Sequence, residues 1–196
     1  MNTEQIADII QQSITVKEAI LQNAGLLQTI QQAGYAMINA FKNKHRVWLC
    51  GNGGSAADAQ HIAAELSGRF YHDRPPLPAE ALHVNTSYLT AVANDYGYEQ
   101  VFARMVQGFA QQGDVLIGIS TSGKSANILK ALRQAQQTGV YTIGLCGNHV
   151  TQLEPCCNLV IAVPSGNTPR IQEAHILIGH IWCEMVEREL FSLIAR

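Results

Sequence analysis

The sequence predicts an α/β protein with three layers, α/β/α, around a five-stranded parallel sheet. Short continuous apolar runs, typical of strands buried on both faces, alternate with longer segments of helical period. Two of these runs end in turns rich in glycine or serine that lead directly into a helix. The 196 residues are 47% apolar, which is enough for one domain, 1–196, with a full hydrophobic core. These features predict β-α repeats with helices on both faces of the sheet.

Residues 1–43 are predicted to form two amphipathic helices that precede the first strand. Apolar residues recur at helical spacing from Ile6 to Ile14, and a second apolar stripe runs from Leu27 to Phe41. Gly25 is expected to separate the two helices. Because this helical extension lies outside the β-α repeat, two placements are open at this point. It can pack at a contact with another subunit, or on its own domain.

The segment from Val47 to Glu65 predicts a strand, a glycine turn and a helix. The apolar run VWLC is the strand, and Ser55 is the expected N-cap of the helix. The free N–H groups and positive end of such a helix suit an anion. Turns of this kind also occur without a ligand, and this one matches neither a dinucleotide-binding nor a P-loop pattern. The glycine turn consists of Gly51, Asn52, Gly53 and Gly54. Three of these residues lack a Cβ, so a ligand could approach the backbone closely.

Beyond this helix, strands and helices are predicted to alternate again. Gly139 is expected to end one helix, and Thr168 and Pro169 are expected to open the last as N-cap and first residue. The elements follow in the order weak strand 81–84, helical turn 88–93, helix 98–111, strand 115–119, a helix ending near 138, strand 141–145, strand 159–163 and helix 170–191.

The turn after the 115–119 strand repeats the arrangement of the first turn with more hydroxyl groups. A helix-capping turn explains one or two of these hydroxyls, but not four within the six residues STSGKS. Lys124 either adds charge or faces solvent. Both turns lie at the carboxyl ends of predicted strands, where open α/β sheets bind ligands. The second turn is therefore predicted to bind phosphate through Ser120, Thr121, Ser122 and Ser125.

Two of the predicted helices carry polar side chains suited to catalysis or metal binding. His61 and Glu65 are four residues apart and share one helix face, where a functional pair and a surface pair are both open. On the last helix, a lone histidine among apolar residues is commonly a hydrogen-bonded core residue, and His175 fits that description. Two further polar residues interrupt the apolar positions of this helix, Gln172 and His180.

Composition argues against several other classes of protein. A net charge of −2 and a pI near 6.4 argue against a general nucleic-acid binder. There is no apolar run of about 18 residues that would predict a membrane span, and the polar start, MNTEQIADIIQQ, does not read as a signal peptide. The five cysteines, an odd number without CxxC spacing, fit the reduced thiols of a cytoplasmic protein better than a disulfide framework.

Several long segments, in a fixed order, resemble the sugar isomerase (SIS) domain family, and within it the phosphoheptose isomerases. They are CGNGGSAADAQHIAAEL, the turn at 94–97, GISTSGKSANI and NTPRIQEAHILIGH, and with the N-terminal helices they cover essentially the whole chain. The resemblance implies conversion of sedoheptulose 7-phosphate to D-glycero-D-manno-heptose 7-phosphate for lipopolysaccharide precursors. It further implies a homotetramer with one Zn²⁺ per site.

The resemblance also implies roles for particular positions. Glu65 and His180 would be the catalytic pair. Some family members have Asp where this chain has Pro169, so any role of that carboxylate is not carried over. The zinc ligands would be His61, Glu65, Gln172 and His180. The substrate would be held by Asn52, Gly53, Gly54, Ser55, Glu65, Asn94, Asp95, Ser120, Thr121, Ser122, Ser125 and Gln172.

Helix geometry bears on the implied zinc ligands. Gln172 and His180 are eight residues apart, which is about 12 Å along a helix and about 80° around it. One metal is reached from both only if the side chains bend toward each other. A site that draws on more than one subunit is therefore favoured, in keeping with the implied homotetramer.

The chemistry of aldose–ketose isomerisation suits these residue types. A base must take a proton from C1 or C2 and an acid must serve the oxygens, roles that a carboxylate and a histidine can fill. Zn²⁺ would polarise the carbonyl as a Lewis acid. The alternative is a non-catalytic relative of the same fold that serves as a scaffold for the replication initiator protein. The presence of all four implied zinc ligands favours the enzyme.

Overall fold

A computed structural model describes residues 1–191, so 192–196 of the predicted domain lie outside the described residues. The chain begins with α1 (Thr3–Gln22) and α2 (Ala24–Lys42). The prediction that Gly25 separates them is wrong, because Gly25 lies within α2. The break is at Asn23, which ends α1 and caps α2 by accepting a hydrogen bond from the Leu26 N–H through its side chain.

The five strands form one parallel sheet in the order β2-β1-β3-β4-β5. They are β1 (Val47–Cys50), β2 (Ala79–Ala81), β3 (Val115–Ser120), β4 (Tyr141–Cys146) and β5 (Leu159–Ala162). All residues of β1 and β3 are buried, as continuous apolar runs predict for a sheet covered on both faces. The predicted fold class is confirmed.

Helices cover both faces of this sheet. On one face α1 and α2 join α3 (Gly54–Ser67) and α7 (Thr168–Phe191) around a core centred on Leu49, Ile117 and Trp182. On the other face α4 (Thr86–Tyr96), α5 (Val101–Phe109) and α6 (Ala126–Gln137) enclose a second core around Trp48 and Phe102. No helix within residues 1–191 is both long and apolar enough to cross a membrane.

The least regular part of the chain, 79–111, departs from the predicted boundaries. The second strand lies at Ala79–Ala81 and not at 81–84. It has no apolar run, and its residues alternate between buried and exposed. The turn at 88–93 is an eleven-residue helix that ends at Gly97, which has a φ of 88°. The predicted helix 98–111 is instead a 3₁₀ turn, Tyr98–Gln100, followed by α5.

The strand order places both predicted turns at one point of the sheet. β2 lies on one side of β1, and β3, which follows β2 in the chain, lies on the other side, so β1 and β3 flank the position at which the order reverses. Cys50 and Gly118 are paired at this position. In doubly wound sheets the crevice beyond the carboxyl ends of two such strands is where ligands bind. The glycine turn follows β1 and the serine turn follows β3, so both border this crevice.

Candidate active site

The first turn depends on glycine for its shape. A Cβ on Gly51 would lie 2.9 Å from the backbone nitrogen of Ala56, closer than real Cβ contacts allow. Gly53 has a φ of 55° and caps α3 without a side-chain hydrogen bond, so the N-cap assigned to Ser55 is wrong. Ser55 instead lies buried within the first turn of α3. Gly53 and Gly54 are exposed beside it, and a ligand can reach their backbone.

The second turn is held by its own hydroxyls and backbone. The Oγ atoms of Ser120 and Ser125 are 2.9 Å apart, and Ser125 begins α6 without a side-chain cap. The carbonyl oxygen of Thr121 accepts a hydrogen bond from the Gly147 N–H, which ties the turn to the end of β4. Ser122 is exposed. The turn therefore presents hydroxyls beside an uncapped helix N-terminus, an arrangement that suits a phosphate group.

A pair of amides joins the two turns. Asn52 and Asn127 exchange two side-chain hydrogen bonds, of 2.9 and 2.8 Å, and the hydroxyl of Tyr98 also donates to Asn52 Oδ1 at 3.2 Å. Asn94 and Asp95 are exposed on the last turn of α4, four and three residues before Tyr98, and the Asn94 amide donates to the Asp95 carboxylate. Since the Asn52 side chain is engaged in this way, its backbone is the part free to meet a substrate.

His61, Glu65 and His180 come together within one chain. His61 Nε2 lies 3.2 Å from Glu65 Oε1 and 3.5 Å from His180 Nε2. The two imidazole rings meet edge to face at a centroid distance of 5.1 Å. Gly179 permits the approach of α7, because a Cβ there would lie 2.6 Å from Ile62 Cγ1 on α3. About half of the His61 side chain is exposed, so the cluster opens to the surface of the helical layer.

Gln172 lies apart from this cluster. A Cβ on Gly54 would lie 2.9 Å from the Gln172 Cδ atom, so the Gln172 amide covers the start of α3 beside the glycine turn. Gly54 meets Gln172 and His61 meets His180, so α3 and α7 run parallel from the carboxyl edge of the sheet. Gln172 and His180 remain about 12 Å apart along α7, as its rise of 1.5 Å per residue requires. One chain thus presents two subsites, the turns with Gln172 and the histidine cluster.

The cluster has ligand spacings that suit a tetrahedral metal. Zinc bonds of 2.0 to 2.1 Å place neighbouring ligand atoms about 3.3 Å apart, close to the two distances measured from His61 Nε2. Within residues 1–191 no three acidic, histidine or cysteine side chains are yet arranged around one common point. The two pairs that share His61 therefore have spacings compatible with zinc, and all three side chains are exposed or half-buried.

Asp58 is an acidic group one turn before His61 on α3. Burial raises the pKa of its carboxyl to about 6, against an opposing effect of the nearby His61. Its Oδ2 atom is buried and has no hydrogen-bond partner among the described residues. The sequence analysis did not single out Asp58, and its i, i+3 spacing to His61 is the signal that points to it.

Known proteins are similar to this chain over most of its length. The SIS domain profile matches residues 7–147. A phosphoheptose isomerase of Aneurinibacillus thermoaerophilus is 51% identical over 96% of this chain and 95% of its own length. The chain belongs to the phosphoheptose isomerase family. A second relative, phosphoheptose isomerase 2 of Campylobacter jejuni, is 56% identical over 92% of this chain and 90% of its own length.

Solved structures of the phosphoheptose isomerase family share the fold over almost its whole length. The phosphoheptose isomerase from Francisella tularensis superposes with a TM-score of 0.90 at 36% identity, covering 96% of this chain and 100% of its own. The one from Neisseria gonorrhoeae gives a TM-score of 0.87 at 38% identity, covering 94% of this chain and 97% of its own. The family resemblance inferred from the motifs is thereby confirmed.

Two residues that organise the site were missed by the sequence analysis. Asn127 is buried and holds Asn52, and Tyr98 joins the same amide pair. An asparagine in the first turn of a helix that follows a serine turn is one signal, and a tyrosine directly after a turn glycine is another. Neither signal names its partner, because Asn52 lies 75 residues from Asn127 and 46 residues from Tyr98.

Proposed function

We propose that this protein isomerises sedoheptulose 7-phosphate to D-glycero-D-manno-heptose 7-phosphate. The observation that carries the proposal is the cluster in which His61 contacts both Glu65 and His180, on the helix that begins at the glycine turn. The names of relatives about half identical to this chain support the heptose phosphate as substrate. Such an activity belongs to the supply of heptose for lipopolysaccharide precursors in the cytoplasm.

The phosphate group and the reacting end of the sugar have different requirements. Ser120, Ser122 and Ser125 hold the phosphate with the α6 N-terminus, which orients the open-chain sugar without taking part in the chemistry. The rest of the sugar is lined by the backbone of Gly53 and Gly54 and by the exposed pair on α4, Asn94 and Asp95. Ser55 and Thr121 support the two turns.

Proton transfer is assigned to Glu65 and His180. Glu65 removes a proton from C1 of the ketose, which leaves an enediolate, and the proton returns at C2 to give the aldose. His180 moves the hydroxyl proton between O1 and O2, so that the carbonyl passes from C2 to C1 with no net gain or loss of protons. The contact of both side chains with His61 holds them on one side of the reacting carbons.

A zinc ion is part of the proposal. His61, Glu65 and His180 would hold it within one chain, and Gln172 of a neighbouring subunit would complete the set through its oxygen, because its own chain places it elsewhere. Zinc would polarise the sugar carbonyl. Zinc affinity should fall as the pH drops, since His61 and His180 must be neutral to bind it. Metal analysis of the purified protein, chelation and re-addition of zinc measure this, with His61→Ala as the variant and His149→Ala as the exposed control.

The subunits are proposed to form a homotetramer. In α1 only Ile20 is buried, whereas Ile6, Ile9, Ile10 and Ile14 are 39–55% exposed in the single chain. An apolar stripe of this kind favours contact with a further copy of the chain. Light scattering should show a tetramer that Ile10→Lys dissociates. A parent that is monomeric at assay concentration would contradict this.

One assay tests the proposed activity. The protein is incubated with sedoheptulose 7-phosphate and the aldose heptose phosphate is measured. Glu65→Gln should abolish turnover while phosphate binding persists, because the variant lacks the proton acceptor and one proposed zinc ligand but keeps the serine turn. Glu189→Gln, on the exposed end of α7, is the matched control and should turn over like the parent. An inactive parent, or an active Glu65→Gln variant, would refute the assignment. The scaffold alternative is not favoured by the relatives.

A further inference from the structure

A buried ion pair lies next to the histidine cluster and has no part in the mechanism given above. Arg74 belongs to the segment between α3 and β2, and Glu187 lies near the end of α7. Arg74 Nε is 3.2 Å from Glu187 Oε1, and the two side chains are only 1% and 2% exposed. Buried charges of this kind are retained only when they are paired and their remaining hydrogen-bonding groups are satisfied.

Glu187 holds the backbone of three successive residues. Its carboxylate accepts hydrogen bonds from the N–H groups of Phe70, Tyr71 and His72, at 3.0, 2.9 and 3.2 Å. Burial alone would raise the pKa of Glu187, but these N–H groups and Arg74 hold it below its usual value. The carboxylate is therefore charged and fixes the path of the segment that leaves α3.

Arg74 holds the end of α3. Its Nη1 donates to the carbonyl oxygen of Leu66 at 2.7 Å, and its Nη2 donates to that of Glu65 at 2.8 Å. The last carbonyl groups of a helix lack partners within the helix, and a cation beside them is favoured by the helix dipole. The guanidinium group thus grips the backbone of the residue assigned as catalytic base.

The same ion pair also acts on His180. Glu187 lies seven residues, two helical turns, after His180, so both project from one face of α7. Phe70, whose N–H group Glu187 holds, places its ring beside the His180 imidazole at a centroid distance of 5.7 Å. One end of the ion pair therefore reaches Glu65 through its carbonyl group, and the other reaches His180 through Phe70.

We propose that Arg74 and Glu187 are positioning residues that set the separation of Glu65 and His180, with the Phe70 ring as the part that touches the imidazole. This inference rests on the proposed isomerase function. The ion pair contacts neither the glycine turn nor the serine turn. Loosening it should consequently slow the chemical step and leave phosphate recognition unchanged, whereas a general loss of folded protein would lower the apparent kcat in proportion to the folded fraction.

The experiment compares three glutamate variants on α7. Glu187→Gln should lower kcat at least about tenfold with KM within about twofold, since small displacements of catalytic groups have effects of this size or larger. Glu187→Asp keeps the charge and should recover at least about threefold of that loss. Glu189→Gln removes an exposed ion-pairing carboxylate from the same helix and should leave both constants unchanged. Rates are expressed per folded protein from far-ultraviolet circular dichroism.

A second variant covers the case in which Glu187→Gln does not fold. Phe70→Leu keeps both charges and the backbone hydrogen bonds but removes the ring beside His180, and should also lower kcat without raising KM. A kcat within twofold of the parent in Phe70→Leu, or a rise in KM that accounts for the loss in Glu187→Gln, would overturn the proposal.

One measurement is independent of activity. The imidazole signals of His180 and His61 in nuclear magnetic resonance spectra should shift in Phe70→Leu and in Glu187→Gln, but not in Glu189→Gln. Unchanged His180 signals in both variants would overturn the positioning role. If the parent does not isomerise the heptose phosphate, the proposed function fails, while these signals still decide whether the ion pair positions the histidine.

Discussion

His175 should make the stability of this protein sensitive to mild acid. The residue is fully buried on α7, where its Nε2 lies 3.1 Å from the carbonyl oxygen of Cys146. Burial lowers the pKa of His175 from 6.5 to about 4, against the smaller, opposite effect of that hydrogen bond. Nδ1 is also buried and has no partner among the described residues. The folded protein therefore keeps this imidazole neutral where the unfolded chain protonates it.

The magnitude follows from the two pKa values. Below pH 6.5 the unfolded chain binds the proton and the folded protein does not, so the stability present at neutral pH is lost as the pH falls toward 4. At 1.36 kcal/mol per pKa unit the loss is about 2 kcal/mol between pH 7 and pH 5, and about 3 kcal/mol once the pH is below 4. Asp58 acts in the opposite direction, because its raised pKa lets the folded protein take up a proton first.

The assay must separate His175 from such opposing groups. Urea unfolding at fixed protein concentration is followed at pH 7 and pH 5 for the parent and for His175→Gln, whose amide can still donate to Cys146. The parent should lose about 2 kcal/mol more than the variant over this interval. His149→Gln, at an exposed histidine, should follow the parent. If the parent and His175→Gln lose the same free energy, the reasoning from burial is refuted.

Further predictions concern the two subsites. Gly54→Ala should displace the Gln172 amide, which would lie 2.9 Å from the new methyl group, and lower kcat/KM while the helical fold is kept, as circular dichroism will show. Mixed assemblies of Glu65→Gln and His180→Gln should stay inactive, because one chain supplies both groups, and recovery would contradict that. Mixed assemblies of Glu65→Gln and a triple variant with alanine at Ser120, Ser122 and Ser125 should instead recover activity if each site joins the histidine cluster of one subunit to the serine turn of another. Alanine at Ser120, Ser122 and Ser125 should weaken sugar phosphate binding by about 1.5–3 kcal/mol for each hydroxyl removed, as measured by titration calorimetry. Unchanged affinity would place the phosphate elsewhere.

The fold could be predicted because most of its strands are short, continuous runs of apolar residues. The runs at Val47–Cys50 and Val115–Ser120 are apolar at almost every position, and the structure buries all of them. The turns that follow these strands could also be predicted, since each contains a cluster of glycines or serines. The second strand, Ala79–Ala81, was misplaced because a three-residue edge strand with a central glutamate has no apolar run to mark it.

The contacts between distant segments were not predictable in the same way. Asn52 and Asn127 each look like an ordinary turn or helix residue until the strand order brings the turns together. The ion pair of Arg74 and Glu187 joins positions 113 residues apart. From the sequence alone, these two charged residues look the same as residues on the surface. Such partners are fixed by how the helices pack, which composition and periodicity do not encode.

Two glycines show how packing decides the arrangement of the site. Gly54 and Gly179 stand on opposite sides of the contact between α3 and α7, one facing Gln172 and the other facing Ile62. A side chain at the buried Gly179 would separate the helices, because close-packed interiors have no space to take up the added volume, whereas one at the exposed Gly54 would displace the Gln172 amide. The glycine before His180 lets that histidine lie within 3.5 Å of His61, and Gly54 lets Gln172 lie against the glycine turn. The same parallel packing keeps Gln172 and His180 at separate subsites, which is why a site that needs both is expected to draw on more than one subunit.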